Sequence, residues 1–293
     1  MLAGIGTRAP VPPRTLWILA CTLAALCGFA ANSLLTRAAL QTAQIDPASF
    51  TVVRLASGAL VLGLLVHARA PAGVRSGSWS GAVALFAYAY PFSLAYVRIG
   101  ASSGALLLFG SVQATMIGCG LVRGERPRLA EWLGLLLAIT GLLVLVLPGV
   151  QAVDLPGAGL MALAGIAWGI YSLLGRGAQR PLLATAGNFA RSVPLALLAV
   201  LAHATSLEAA PRGLLLAAAS GALASGLGYA LWYAALPHLS AMRAATVQLL
   251  VPVLTAAAAV VLLGEALSAR LFVAAACILG GVLLAIARPA PRA

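Results

Sequence analysis

Long, unbroken apolar runs constrain this chain most. Ten of them can be marked, over 15–36, 48–67, 79–97, 101–122, 129–148, 155–175, 183–202, 212–235, 241–262 and 268–287. A helix needs about 20 apolar residues to cross the hydrocarbon core of a bilayer. The runs are continuous rather than alternating, and rich in Leu and Ala, which excludes a β-barrel pattern. Most are set apart by turn residues, such as Asp46-Pro47, Pro71-Ala72-Gly73, Gly124-Glu125-Arg126-Pro127 and Arg180-Pro181. Two joints, 97–100 and 236–239, are so short that only tight helical hairpins fit. Composition agrees: the chain is 62% hydrophobic and 8% charged, against ~45–50% and ~25% in soluble domains. Those charges cannot cover a water-facing surface. A soluble globule, a disordered chain and a disulfide-stapled secreted domain are excluded. The expected fold is an all-α membrane protein of ten transmembrane helices.

All 18 basic residues are arginine, against six acids. They stand singly between apolar runs and offer no basic cluster to nucleic acid, so the bias is read as orientation. With the N-terminus in the cytoplasm, twelve arginines fall inside and four outside, and Arg54 and Arg191 lie within spans. An even number of spans then puts both termini in the cytoplasm. The first run continues past the length of a secretory h-region and is read as a retained span. Short loops and the all-arginine bias point to a bacterial plasma (inner) membrane. Cys21, Cys27, Cys119 and Cys277 lie in apolar runs without a CxxC pair and are expected to be buried free thiols, with no metal site and no cofactor.

The chain is self-similar at a shift of 140. Gly124-Glu125 falls on Gly264-Glu265, Thr115 on Thr255 and Gly141 on Gly281. A smaller echo pairs Gly28 with Gly169. Five spans per half is an odd number, so the two copies enter the membrane in opposite directions, as two inverted five-helix repeats. That architecture places solute sites near the midplane in many secondary transporters. The expected divisions are a cytoplasmic tail over 1–14, a first repeat over 15–148, an external linker over 149–154, a second repeat over 155–287, and a cytoplasmic tail over 288–293.

Asp46-Pro47 with Arg54 shortly into the second span resembles the drug/metabolite transporter superfamily. So does the paired signature of Val122-Arg123-Gly124-Glu125-Arg126 and Leu250-Val251-Pro252-Val253-Leu254 through Gly264-Glu265, which is similar to the duplicated EamA-type domain of its ten-helix members. The likeness covers about 15 to 287. The first half departs from the pattern: Val112 stands where a proline is usual, and Cys27-Gly28 where the second half has Trp168-Gly169. The resemblance implies a secondary transporter, an exporter, of a small organic metabolite such as an amino acid, working by alternating access.

Polar groups at membrane depth need a reason. Arg54 and Arg191 offer a cation to an anion in the cavity; alternatively they snorkel or bond to carbonyls. Asn32, Gln113, Asn188 and Gln248 are in-span amides. Tyr88, Tyr229, Trp232 and Trp168 supply mid-span aromatic faces, and Tyr96 and Trp79 fit an interfacial belt. Gly165 and Gly169 form a GxxxG pair read as a packing surface within one subunit. The candidate substrate contacts are Arg54, Tyr88, Gln113, Trp168, Tyr229, Trp232 and Gln248. Asp46, Glu125, Glu131, Asp154, Glu208 and Glu265 all map to loops or span ends, so no carboxylate is expected as a mid-membrane proton carrier. The alternatives are a channel or facilitator, for which no charge ring or filter-like loop stands out, and an intramembrane enzyme. The latter lacks a His at the depth of Ser57, Ser103, Ser220 or Ser225. No enzymatic activity is expected. The expected partners are a small-molecule substrate and the lipid bilayer; the oligomeric state is open, a monomer included.

Overall fold

The structure is a computed structural model, and it describes residues 13–67, 76–99, 101–147, 154–202, 207–263 and 269–286. Gly264-Glu265, His203, the tail 288–293, residues 1–12 and the linker short of Asp154 lie outside the described residues. Helices account for almost everything described. In chain order they are α1 (Pro13–Leu40), α2 (Pro47–His67), α3 (Trp79–Tyr96), α4 (Ala101–Val122), α5 (Leu129–Val146), α6 (Leu155–Arg176) and α7 (Pro181–Ala202). The eighth rod, α8, begins as Pro211–Ala219, passes through a π-helical stretch, Ser220–Leu227, and resumes as Gly228–Ala235. The ninth, α9, is Ala241–Gln248 followed by Leu250–Leu263, and α10 is Ala269–Ile286.

Among the described residues, eight helices are long and apolar enough to cross a membrane, and Leu129–Leu145 is a shorter apolar helix. Helix α3, with Tyr88, Tyr90, Tyr96 and Pro91 in 18 residues, is not among those eight. The chain is an all-α, multi-pass membrane protein. Large side chains such as Leu60, Leu64, Leu198, Leu223 and Phe272 are exposed, as lipid-facing residues must be.

Two interruptions differ from the continuous runs expected over 212–235 and 241–262. Pro252 has no N–H for the Gln248 carbonyl, and its ring crowds that carbonyl, so α9 breaks at Leu249. The π stretch of α8 opens on Ser220-Gly221 and ends at Leu227, before Gly228. Without a side chain at Gly221, α8 closes directly onto the Arg54 carbonyl and the Ser57 hydroxyl of α2. A third expectation also shifts. Cys21 is buried, but Cys27 is exposed, on the lipid side of α1, so the four thiols are not uniformly buried.

Packing follows one rule. Helix α5 packs on α10 and α2 on α7; α3 packs on α6 as α1 does on α8; α4 meets α6 as α9 meets α1. Exchanging the first five rods for the last five leaves this scheme unchanged. The close α5–α10 contact obeys the same exchange. A Cβ on Gly134 would meet the Gly281 carbonyl oxygen at 2.5 Å, and one on Gly141 would meet the Ala274 carbonyl oxygen at 2.8 Å. A shift of 140 turns the first pair into the second. Small residues let two helix backbones touch where lipid supplies no hydrophobic drive for association. Gly165 and Gly169 likewise face α4, against Leu108, Ser111 and Thr115.

The loops gather into two groups. In one, Arg176 at the end of α6 pairs with Glu125, whose other oxygen accepts the Ala241 N–H at 2.9 Å, and Arg243 pairs with Glu131 at 2.9 Å. In the other, Arg98 holds Asp154 at 2.8 Å, and the α1–α2 turn meets the start of α8 through Asp46, Glu208, Gln44 and Ala210. The Arg98 guanidinium and the Gly157 N–H hold the Asp154 carboxyl below the usual carboxylate range. Its folded value being depressed, this contact stabilises above the ordinary carboxylate pKa and fades as pH falls through the lowered one.

We predict that Gly281→Val separates α5 from α10. An overpacked helix contact costs about 1–3 kcal/mol, read as a lower thermal midpoint in detergent. Gly63→Val, at a glycine with no neighbour within 4 Å, should leave the midpoint nearly unchanged. Equal midpoints in the two variants would refute the close-contact assignment.

Candidate functional site

Arg54 is the eighth residue of α2, and it is 1% exposed. Its Nε donates to the Ser225 hydroxyl at 2.9 Å. Its Nη2 donates to the Tyr229 hydroxyl at 2.9 Å and to the Tyr88 hydroxyl at 3.3 Å. The guanidinium carbon stands 5.2 Å from the Tyr88 ring centre and 5.9 Å from that of Phe92. Nη1 has no hydrogen-bond partner. One cation therefore ties α2 to α3 and to α8. The π stretch contributes directly, because it carries Ser225 and ends just before Tyr229. An extra residue per turn re-aims side chains, which is why π segments recur at functional sites.

Both tyrosine rings form part of the wall of a cavity. Around it stand Phe29 and Asn32 from α1, Tyr88 and Phe92 from α3, and Phe109 and Val112 from α4. Trp168 from α6, Tyr229 from α8, and Gln248 and Val251 from α9 complete it. Three helices of each half thus contribute, in the correspondence 1 to 6, 3 to 8 and 4 to 9. The open space is only about 30 Å³, room for little more than a water molecule. The rings interlock: Trp168 stands 4.8 Å from Tyr229, 5.1 Å from Tyr88 and 5.2 Å from Phe29 between centroids. A metabolite-sized solute enters only if this wall moves.

Polar tips at the wall are held from behind. The Asn32 amide donates to the Tyr88 hydroxyl at 3.4 Å, and its oxygen accepts from the Ser220 hydroxyl at 2.7 Å. The Trp168 indole N–H donates to Gln248 Oε1 at 2.6 Å, and Gln248 Nε2 reaches the Ala244 carbonyl at 3.1 Å and Met116 Sδ at 3.2 Å. These bonds fix orientation, and the faces they present to the cavity are mostly apolar.

Of the residues expected from the sequence, Tyr88, Trp168, Tyr229 and Gln248 stand on the wall, and Arg54 lies one layer behind it. Gln113 and Trp232 are elsewhere. Gln113 points across the α4–α9 contact and donates to the Ala245 carbonyl at 2.9 Å, with its Oε1 unpartnered. Trp232 is 0% exposed and packs edge-on against Phe29 at 5.7 Å, away from the cavity lining. Arg191 donates to the Ser76 and Gly187 carbonyls at 2.9 and 3.0 Å, so its bonding to carbonyls is the reading that holds. Asn188 accepts the Ser78 N–H at 2.8 Å and secures the entry to α3. Sequence reasoning did not single out Phe29 or Phe109, nor Ser225, which it weighed only as a nucleophile; Phe92 belongs to the aromatic cluster of the third span but is not among the candidate contacts. The available signal was the Ser-Gly repetition opposite Arg54. Among the described residues no cluster of His, Cys, Asp and Glu could hold a metal.

Comparison with known proteins agrees with this architecture. The model of the EamA-like transporter family matches residues 155–287, the half carrying Trp168-Gly169 and Pro252. The chain is 53% identical over 284 residues to an uncharacterized protein of Pseudomonas aeruginosa, covering 97% of this chain and 98% of the relative. A crystal structure of another protein superposes with a TM-score of 0.74 at 24% identity, covering 90% of this chain and 98% of that one. At that identity the likeness concerns the fold alone.

We predict that Gln248→Leu strands the buried Trp168 N–H, a loss of about 1–3 kcal/mol measured as thermal midpoint. Combining it with Trp168→Phe should cost less than the sum of the single changes. Strict additivity would show that the bond at 2.6 Å contributes nothing.

Proposed function

We infer that this chain, which belongs to the EamA-like transporter family, is a secondary transporter that exports a small organic metabolite by alternating access. A membrane transporter of small solutes is what the family implies. The finer reading rests on one observation: the cavity is walled by three helices from each half, in matching order, with an interlocked aromatic lining. A solute held there touches both halves, so rocking one against the other changes the side to which the site opens. The narrowness of the cavity in this conformation fits a step of that cycle in which the halves are drawn together.

The repeat supports this reading. Two inverted five-helix units, over 15–148 and 155–287, account for the exchange symmetry of the packing and for the Gly134–Gly281 and Gly141–Ala274 contacts. Ten crossings account for the sorting of the loops, with Glu125, Arg176 and Arg243 at one end and Asp46, Arg98 and Asp154 at the other. The arginine bias makes the first end cytoplasmic. The membrane is then a bacterial inner membrane, with both termini inside. A channel is the second reading; it would need a continuous polar path, and this lining is mainly apolar.

The acids of the described residues stand at helix ends and in loops rather than at mid-membrane, which speaks against a mid-membrane carboxylate as the coupling group. Glu125, Glu131 and Asp154 are each paired with an arginine, and Asp46 accepts the Ala48 and Ser49 N–H groups at the start of α2.

Three outcomes test the proposal. A single cysteine at Gln151, on a Cys-free background, should be labelled from outside intact cells; labelling only from the cytoplasm would overturn the orientation. Reconstituted protein should give saturable flux with counterflow, and linear flux without counterflow would favour a channel. Neutralising Asp46, Glu125, Glu131, Asp154, Glu208 or Glu265 singly should leave coupled flux at matched expression in every case. Loss of proton-driven flux with retained exchange in any one variant would identify the missing carrier.

A further inference from the structure

We propose that the transported solute is an organic anion: a carboxylate on a compact apolar or aromatic body, without an ammonium group, its charge set against Arg54. This rests on the transport reading above and names the chemistry of the same site.

The first support is charge. Arg54 is fully enclosed, and its partners Ser225, Tyr88 and Tyr229 are all neutral. Among the described residues no carboxylate approaches it: Glu125, Glu131 and Asp154 are committed to Arg176, Arg243 and Arg98, Asp46 caps α2, and Glu208 is exposed. Buried cations are ordinarily paired with an anion, because the desolvation cost is otherwise uncompensated. Here Nη1 has no partner at all. A cation held this way marks a place for an anion that comes and goes. A permanent side-chain carboxylate would compete with it.

Proton counting gives the second support. The Tyr88 oxygen accepts from Arg54 and from Asn32, and the Tyr229 oxygen accepts from Arg54. Each hydroxyl keeps one proton of its own to donate. Two hydroxyls can share only one bond between themselves, so at least one proton remains for a further acceptor. Both rings line the cavity, and both oxygens are polarised by the cation behind them. Hydrogen bonds to ionised acceptors are the stronger kind, so a carboxylate gains most from this donor pair.

The third support concerns what the site lacks. An ammonium group would face a fixed guanidinium with no acid nearby to balance it. Amino acids are therefore disfavoured relative to carboxylates of the same shape. Phe29, Phe109 and Trp168 would take the apolar body.

Binding is tested with phenylacetate, phenylacetamide, phenethylamine and phenylalanine, which share a ring and differ in charge. Quenching of tryptophan fluorescence in detergent reports binding without requiring transport, and loss of the signal in Trp168→Phe locates it. Acetate, benzoate and indole-3-acetate extend the carboxylate series in size. We expect carboxylates to bind at least tenfold more tightly than the amide, the amine and the amino acid. Arg54→Gln should abolish that preference while the thermal midpoint holds or rises, since an unpaired buried charge has been removed; a purely structural arginine would lower it. Arg54→Lys should retain part of the preference. If Arg54→Gln does not fold, Tyr229→Phe and Tyr88→Phe should each weaken carboxylate binding several-fold. The proposal is overturned if no carboxylate binds, if the amide binds equally, if phenylalanine or phenethylamine binds more tightly, or if the folded variants keep the preference. Counterflow in proteoliposomes separates the two claims. Carboxylate binding without counterflow overturns the transport reading alone, and counterflow of amine or amino acid without carboxylate binding overturns the anion alone.

Discussion

A single guanidinium in an apolar interior organises the centre of this molecule. Arg54 cannot reach water, so the fold surrounds it with three hydroxyls drawn from two helices, α3 and α8. Serving it requires α8 to lie against α2, which Gly221 permits, and requires Ser225 and Tyr229 to turn toward the same point, which the π stretch arranges. The aromatic wall is the far side of those same tyrosines. The cation, the α2–α8 contact and the cavity lining therefore share the same residues.

Around that centre, cohesion comes from close backbone approach rather than from apolar burial. Lipid is as apolar as leucine, so the helices gain little by hiding large side chains from it. The glycine contacts of α5 with α10, and of α6 with α4, supply the alternative. The α5–α10 contact repeats under exchange of the halves, and helices from both halves meet at the shared cavity. Ion pairs close the ends of the rods. Arg98–Asp154 and Arg176–Glu125 lie where water reaches both partners, so their contribution is the smaller one.

Much of this is legible in the sequence. The apolar runs match the rods closely, since a stretch without polar groups has few options other than a helix in lipid. Tyr88, Trp168, Tyr229 and Gln248 were identified as wall residues from their depth and from the repeat. Trp232 and Gln113 share that depth but not that facing. Depth follows from counting residues along a span, whereas facing depends on how each helix is rotated about its axis. The π stretch and the break at Leu249 alter that rotation midway along α8 and α9. Only the cause of the second, Pro252, is visible as a residue type.

The sequence by itself determined the solvent, the helical class, the number of long apolar runs and the bias of arginine to one side. Each follows from composition and order along one dimension. Tertiary structure alone decided that Arg54 stands behind the cavity rather than in it, that Ser225 serves a cation, and that Arg191 is spent on backbone carbonyls. These depend on which helix faces meet. In so uniform a sequence, where Ala, Gly and Leu fill most positions, small differences in packing settle that choice.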